Sequence, residues 1–182
     1  MKRCVVVTSV AQHSDRFRIA GELSLDLPET AFDTDGLWFD LPEELLSKLN
    51  RMQNLHPFGV LSGVSNAIIA TLPTLISCDR RDISARAVLS QEDPPRVFIF
   101  DSVPGGGLVA KLADNIERVW RRAHGLITGC ACKAIDGCPA CIKSHHGWSE
   151  GLNKEVALLI LDGLTMSWAA QPEPQPRSAC IR

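Results

Sequence analysis

The chain has 182 residues, of which 45% are hydrophobic and 22% charged, with a formal net charge of −2. That length accommodates one domain, or one domain with an appended segment, and the apolar share suffices for a buried core. The charge balance excludes a strongly basic nucleic-acid module, and no run approaches the ~18 apolar residues that a membrane span requires.

Residues 4–41 read as extended structure. The opening "MKRCVVVTSV" imitates a signal peptide, but Thr8 and Ser9 interrupt its apolar run and no small-residue cleavage site follows. It therefore reads as a buried strand. "GELSLDL" alternates Leu23, Leu25 and Leu27 with Glu22, Ser24 and Asp26, which is the strand period, and "GLWFDLP" supplies a third short strand. Between Arg18 and Lys48 there is no lysine or arginine, and the acids between them give this half an acidic tone.

Helical signals follow. In "LPEELLSKLNRM", Pro42 suits a first helical turn, and Glu43 and Glu44 suit its positive dipole end. A second helix is expected from about Gly59 to Leu72, ending near Pro73. "TLISCDRRDIS" reads as a turn or short strand, in which Asp79 and Asp82 are placed to bind Arg80, Arg81 or backbone amides. "QEDPP" is a loop, and "RVFIFD" at 96–101 is a compact buried strand.

"FDSVPGGGL" then breaks the chain. A glycine loop between a strand and a helix is where phosphates are often cradled, but this is neither a Walker A sequence nor a dinucleotide fingerprint. The favoured reading is a turn requiring positive φ, with Asp101 capping it through its carboxylate. From Leu108 to Ile127, apolar residues recur every three or four positions opposite Lys111, Asp114, Glu117, Arg118 and Arg121. That period predicts one amphipathic helix of about five turns. A last helix is expected from Asn153 to Trp168, and the tail "QPEPQPRSACIR" is Pro-rich, with an expectation of disorder.

The densest chemistry lies at "CACKAIDGCPAC", where Cys130, Cys132, Cys138 and Cys141 occupy twelve positions. Three readings compete: a disulfide staple, a redox pair and a metal site. Thiolates one or two residues apart can bend onto one ion, and a tetrahedral Zn²⁺ takes four of them at about 2.3 Å. Gly129, Gly137 and Pro139 permit the tight turns this needs. Four sulfurs would fill zinc's coordination, so the site would be structural. A redox pair would use Cys138 and Cys141, but such pairs open a helix after a strand, and here the cluster follows a long helix. A staple would need an oxidising compartment, whereas the chain reads as cytoplasmic, or nuclear in a eukaryote. His145 and His146 offer a substitute ligand, and Cys4, Cys78 and Cys180 read as buried or tail residues. Around the cluster, Arg118, Arg121, Arg122, Lys133 and Lys143 are the candidates for contact with a nucleic-acid backbone.

Taken in order, "LDLPETAFDTDGLWFDLP", "NAIIATLPTLISCDRRDIS", "VFIFDSVPGGGL", "CACKAIDGCPACIKS" and "LNKEVALLIL" resemble the MrfA-type zinc-binding (MZB) module. That module is the C-terminal region of a group of superfamily 2 DNA helicases with a role in DNA repair. The match covers roughly residues 20–165. The resemblance implies that Cys130, Cys132, Cys138 and Cys141 hold a structural Zn²⁺, and that the partners are helicase motor domains, in cis or in trans, and DNA. The chain departs from the family pattern at Ser62 and Asn66, where two histidines are usual, and in its shorter glycine loop. No helicase motor motif occurs in it, so the chain is not expected to be an enzyme itself. The expected fold is α+β: a β-rich segment over 1–41, a mainly helical zinc-binding module over 42–168 and a tail over 169–182. Two rival functions are a scaffold subunit of a phage-defence complex and a small thiol oxidoreductase.

Overall fold

The computed structural model describes residues 3–6, 10–14, 18–23, 30–52, 55–89, 94–103, 105–144 and 150–169, with side chains between 32 and 166. Residues 170–182 of the expected tail, His145, His146 and "SLDL" lie outside them. The described elements make an α+β fold, as the sequence pattern implies. Strands β1 (Arg3–Val6) and β4 (Thr30–Asp33) pair antiparallel, as do β2 (Val10–Ser14) and β3 (Arg18–Leu23). Strands β5 (Gly36–Asp40), β6 (Ile83–Val88) and β7 (Arg96–Asp101) form a three-stranded antiparallel sheet in the order β5-β7-β6. Strand β7 lies between the other two, and Val97 through Asp101 are all buried, which accounts for its continuous apolar run.

Helix α1 (Glu43–Asn50) starts directly after Pro42, which is its N-cap and so lies one position before the first turn expected for it. Helix α2 (Pro57–Leu75) begins earlier and ends later than its sequence signals suggest. Its N-cap is His56, whose Nδ1 accepts from the Gly59 N–H at 3.1 Å, a role outside the usual Ser/Thr/Asp/Asn set. Pro73 sits in the last turn, so the only helical bond it removes is one near an end that stops two residues later. By length and composition α2 is apolar enough to cross a membrane, yet most of it is buried against β6 and the two following long helices. It is the central helix of the core.

The expected five-turn helix is two helices, α3 (Leu108–Ala113) and α4 (Ile116–Thr128), separated at Asp114 and Asn115. Asn115 Nδ2 donates to the Lys111 carbonyl at 3.1 Å, the kind of local side-chain bond that competes with helix continuation. Leu112 and Ile116 are both buried, so the apolar period runs through the break and conceals it. Helix α5 (Lys154–Ala169) is opened by Asn153, whose Oδ1 accepts from the Val156 N–H at 3.1 Å. One core joins these parts: Val64, Ile68, Leu72, Ile99, Leu112, Val119, Ile127, Ile160 and Leu161 are fully enclosed, and Trp120 of α4 meets Phe39 of β5 edge to face at 6.0 Å.

Candidate metal centre

The glycine loop resolves first, because its chemistry is turned inward. Asp101 is fully buried, and its two carboxylate oxygens accept from the Leu108 and Val109 N–H groups at 3.1 and 3.0 Å. Gly107 precedes α3 at φ +63°. The protein's own carboxylate thus fills the α3 N-terminus that an external anion would otherwise take, as the capping reading expects. The "CDRRDIS" corner behaves similarly. Asp79 Oδ1 accepts from the Arg81 N–H at 2.9 Å, and Asp82 Oδ2 from the Asp79 N–H at 2.7 Å.

The four clustered cysteines leave the end of α4 and turn back on themselves. The backbone bonds Gly137 N to Ala134 O, Cys141 N to Cys138 O and Lys143 N to Cys138 O close the two turns at 2.9 to 3.1 Å. Gly137 is required there. Its φ is +72°, and a Cβ at this position would lie 2.3 Å from Ile142 Cγ1 and 3.0 Å from Cys141 Sγ. The result brings all four sulfurs within 4.8 Å of one another. Measured contacts are 3.5 Å for Cys130 to Cys138, 3.7 Å for Cys132 to Cys141 and 3.8 Å for Cys138 to Cys141. A regular tetrahedron of sulfurs about 2.3 Å from a central zinc has edges of about 3.8 Å. The sulfurs therefore suit one tetrahedral ion, and they are too far apart for the bonded sulfurs of a staple, at about 2.05 Å.

The surroundings suit thiolates too. The Cys138 N–H donates to Cys141 Sγ at 3.1 Å. A backbone hydrogen bond from Cys132, with further thiol contacts, holds the Cys130 pKa down to about 7. Burial pushes the Cys141 thiol up to about 12 before a cation is considered, the wrong direction for the nucleophile of a thiol oxidoreductase. Lys154 reaches in from the start of α5, its Nζ donating to the Cys132 carbonyl. Desolvation pulls this ammonium's pKa down, but the bond to Cys132 and the field of the thiols outweigh it and leave the pKa raised.

The knot is fastened to the core through Ile142, which is fully buried, and through Asn66, whose Nδ2 donates to the Ile142 carbonyl at 2.9 Å across from α2. Sequence reasoning marked Asn66 only as a departure from the family pattern and gave Lys154 no role. Their signals were slight: a polar residue on an apolar helix, and a lysine in the first turn of another, where the dipole disfavours a cation. Of the remaining candidates, Arg118, Arg122 and Lys133 are exposed. Arg121 pairs with Glu117 one turn earlier on α4, and Lys143 pairs with Asp136 at 2.5 Å across the knot. Cys78 is half-buried beside the corner, its thiol raised by burial and by Asp82, Asp79 and Asp101.

Residues 64–142 match the family model of the MrfA Zn-binding domain. The chain is 30% identical over 160 residues to the ATP-dependent helicase YprA of Bacillus subtilis, covering 82% of this chain and 19% of that protein. It is 25% identical over 147 residues to the ATP-dependent helicase hrq1 of Schizosaccharomyces pombe, covering 71% of this chain and 14% of that one. Among solved structures, the helicase MrfA bound to DNA matches with a TM-score of 0.54 at 29% identity, over 81% of this chain and 19% of that chain. The complex of MrfA with DNA and AMPPNP gives 0.55 at 25%, over 87% and 22%. The chain thus spans about a fifth or less of the length of the curated relatives it matches.

Proposed function

We propose that the chain carries a zinc-binding domain of the MrfA type, that Cys130, Cys132, Cys138 and Cys141 hold one structural Zn²⁺, and that the chain serves as an accessory domain of an ATP-dependent DNA helicase. The motor would be supplied by other polypeptide, in cis or in trans. The observation that carries this reading is the sulfur geometry, with contacts of 3.5, 3.7 and 3.8 Å, found within a stretch whose relatives are helicases. When bound, the ion supplies a four-point crosslink and no reactive water, since thiolates fill its coordination. The residues of the chain do the rest. Gly137 allows the turn, the Cys138 N–H and the Lys154 ammonium offset thiolate charge, and Ile142 and Asn66 transmit the knot's position to α2.

On this reading residues 1–41 continue from a preceding part of the parent protein, 42–168 form the zinc module and 169–182 are a tail. Arg118, Arg121, Arg122, Lys133 and Lys143 are its proposed DNA-backbone contacts. The test is reconstitution. Zinc-loaded chain added to the motor lobes of a relative lacking their own zinc module should restore ATP-dependent strand separation. Neutralising those five cations should weaken it in a salt-dependent way. Motor lobes that unwind equally well without the chain would contradict the proposal.

A further inference from the structure

A cleft of about 800 Å³ runs between α2, the "CDRRD" corner, strand β6 and the metal knot. Ser62 and Asn66 line it from α2, and Arg80, Arg81 and Arg86 from the corner and β6; Lys143 lies on its rim. The chain as a whole has a formal net charge of −2, so a cationic cleft is a local departure. Asp79 also lines it, but one carboxylate does not balance three arginines, and Asp79 and Asp82 are each held by a backbone N–H of the turn, not by an arginine side chain. Among the described residues no carboxylate lies within ion-pair distance of Arg80, Arg81 or Arg86, whereas Lys143 is already paired with Asp136. Strand β6 is the outer strand of its sheet, so the cleft runs beside an edge that is unpaired among the described residues.

The spacing of the cations selects the ligand. Arg80 and Arg81 precede β6, and Arg86 stands three residues inside it, ~10 Å along at about 3.3 Å per residue. A chain of phosphates can engage the three guanidiniums separately along that length. We propose that this cleft binds the phosphodiester backbone of a single nucleic-acid strand through Arg80, Arg81 and Arg86, none of which belongs to the contact set proposed above. The inference rests on the nucleic-acid reading of the preceding subsection and gives it a second surface, which shares only Lys143 with the first. Because the knot forms one wall, through Pro139 and Lys143, occupation of the metal centre shapes the cleft.

The experiment is fluorescence anisotropy of a labelled twelve-nucleotide oligo-dT with the full zinc-loaded chain across a salt series. Three neutralised phosphates at ~0.7 each contribute about 2 to the slope of log affinity against log salt. The triple variant R80Q/R81Q/R86Q should lose that amount and bind at least tenfold more weakly at low salt, with its metal content and melting temperature unchanged. Inorganic phosphate should compete no better than chloride at equal ionic strength. An unchanged slope in the triple variant overturns the inference while leaving the helicase reading intact, since binding would then reside on the contact set proposed above. Strong competition by inorganic phosphate overturns the strand assignment in favour of a single-anion site. Failure of the unaltered chain to bind the strand overturns both this inference and the DNA contacts proposed above, but not the zinc centre.

Discussion

The Lys154 ammonium lies 3.1 Å from the carbonyl oxygen of Cys132 and 3.5 Å from its sulfur. It does so from the first turn of α5, where the helix dipole opposes a cation. The backbone N–H of the same residue donates to the Ile135 carbonyl at 2.8 Å, so one residue ties α5 to the knot twice. Four thiolates around a divalent cation carry a net charge of −2, and Lys154 offsets part of it.

Lys154→Met should therefore lower metal affinity about 10–100-fold, the usual effect of losing an outer-shell partner. Lys154→Arg should retain most of it. Competition against a zinc-sensitive chelator measures both, and an unaltered affinity in the Met variant would remove Lys154 from the centre.

Proton release on metal binding should depend on pH in a defined direction. A ligand thiol must shed its proton to bind. Cys130, held down to about 7, is already ionised well above that pH but protonated below it. Cys141, pushed up to about 12, is protonated throughout the accessible range and always contributes a proton. Calorimetry in buffers of different ionisation heat should find about one more proton released at pH 5.5 than at pH 8.5. Equal numbers would mean that the Cys130 thiol is not held down to about 7.

Asp101 should be structural. Replacing it with Ala leaves the Leu108 and Val109 N–H groups without their acceptors at a buried helix start. The expected loss is about 3 kcal/mol, with a smaller loss for Asn, which keeps one acceptor oxygen. For a chain of this size that is roughly 6–12 °C in melting temperature. A change below 2 °C would show that the cap is dispensable.

Two glycines should respond oppositely to Ala. Gly125 lies within α4 with open space where a Cβ would go, so Gly125→Ala should stabilise by about 0.4–1 kcal/mol. Gly137→Ala meets Ile142 and Cys141 at positive φ, and should cost about 2–4 kcal/mol together with metal affinity. Chemical denaturation with parallel metal analysis separates the two, and a tolerated Ala at 137 would contradict the knot geometry.

Much of this was legible in the sequence because it is local. The cysteine spacing, the short strand "GLWFD" and the run "RVFIFD" each carry their structure within a few residues, and the glycine turn names its own cap in Asp101. What was not legible depends on distant partners. The length of α2 is set by burial on nearly every side, not by its end signals. The break at Asp114 and Asn115 leaves the apolar period intact. Asn66 and Lys154 acquire meaning only once α2 and α5 reach the knot. The cleft gathers Arg80, Arg81 and Arg86 beside α2 and the knot, a juxtaposition that no count of charges along "CDRRD" conveys.

The central claim is that four sulfurs share one ion and so fix the knot between α4 and α5. The most direct measurement is elemental analysis of the purified chain, alongside Cys132→Ser and Cys141→Ser and a chelator titration followed by circular dichroism. The expected result is one zinc per chain, substoichiometric metal in both variants, and a cooperative loss of helical signal and melting temperature as the metal is withdrawn. Metal-free native protein with an unchanged melting temperature would contradict it.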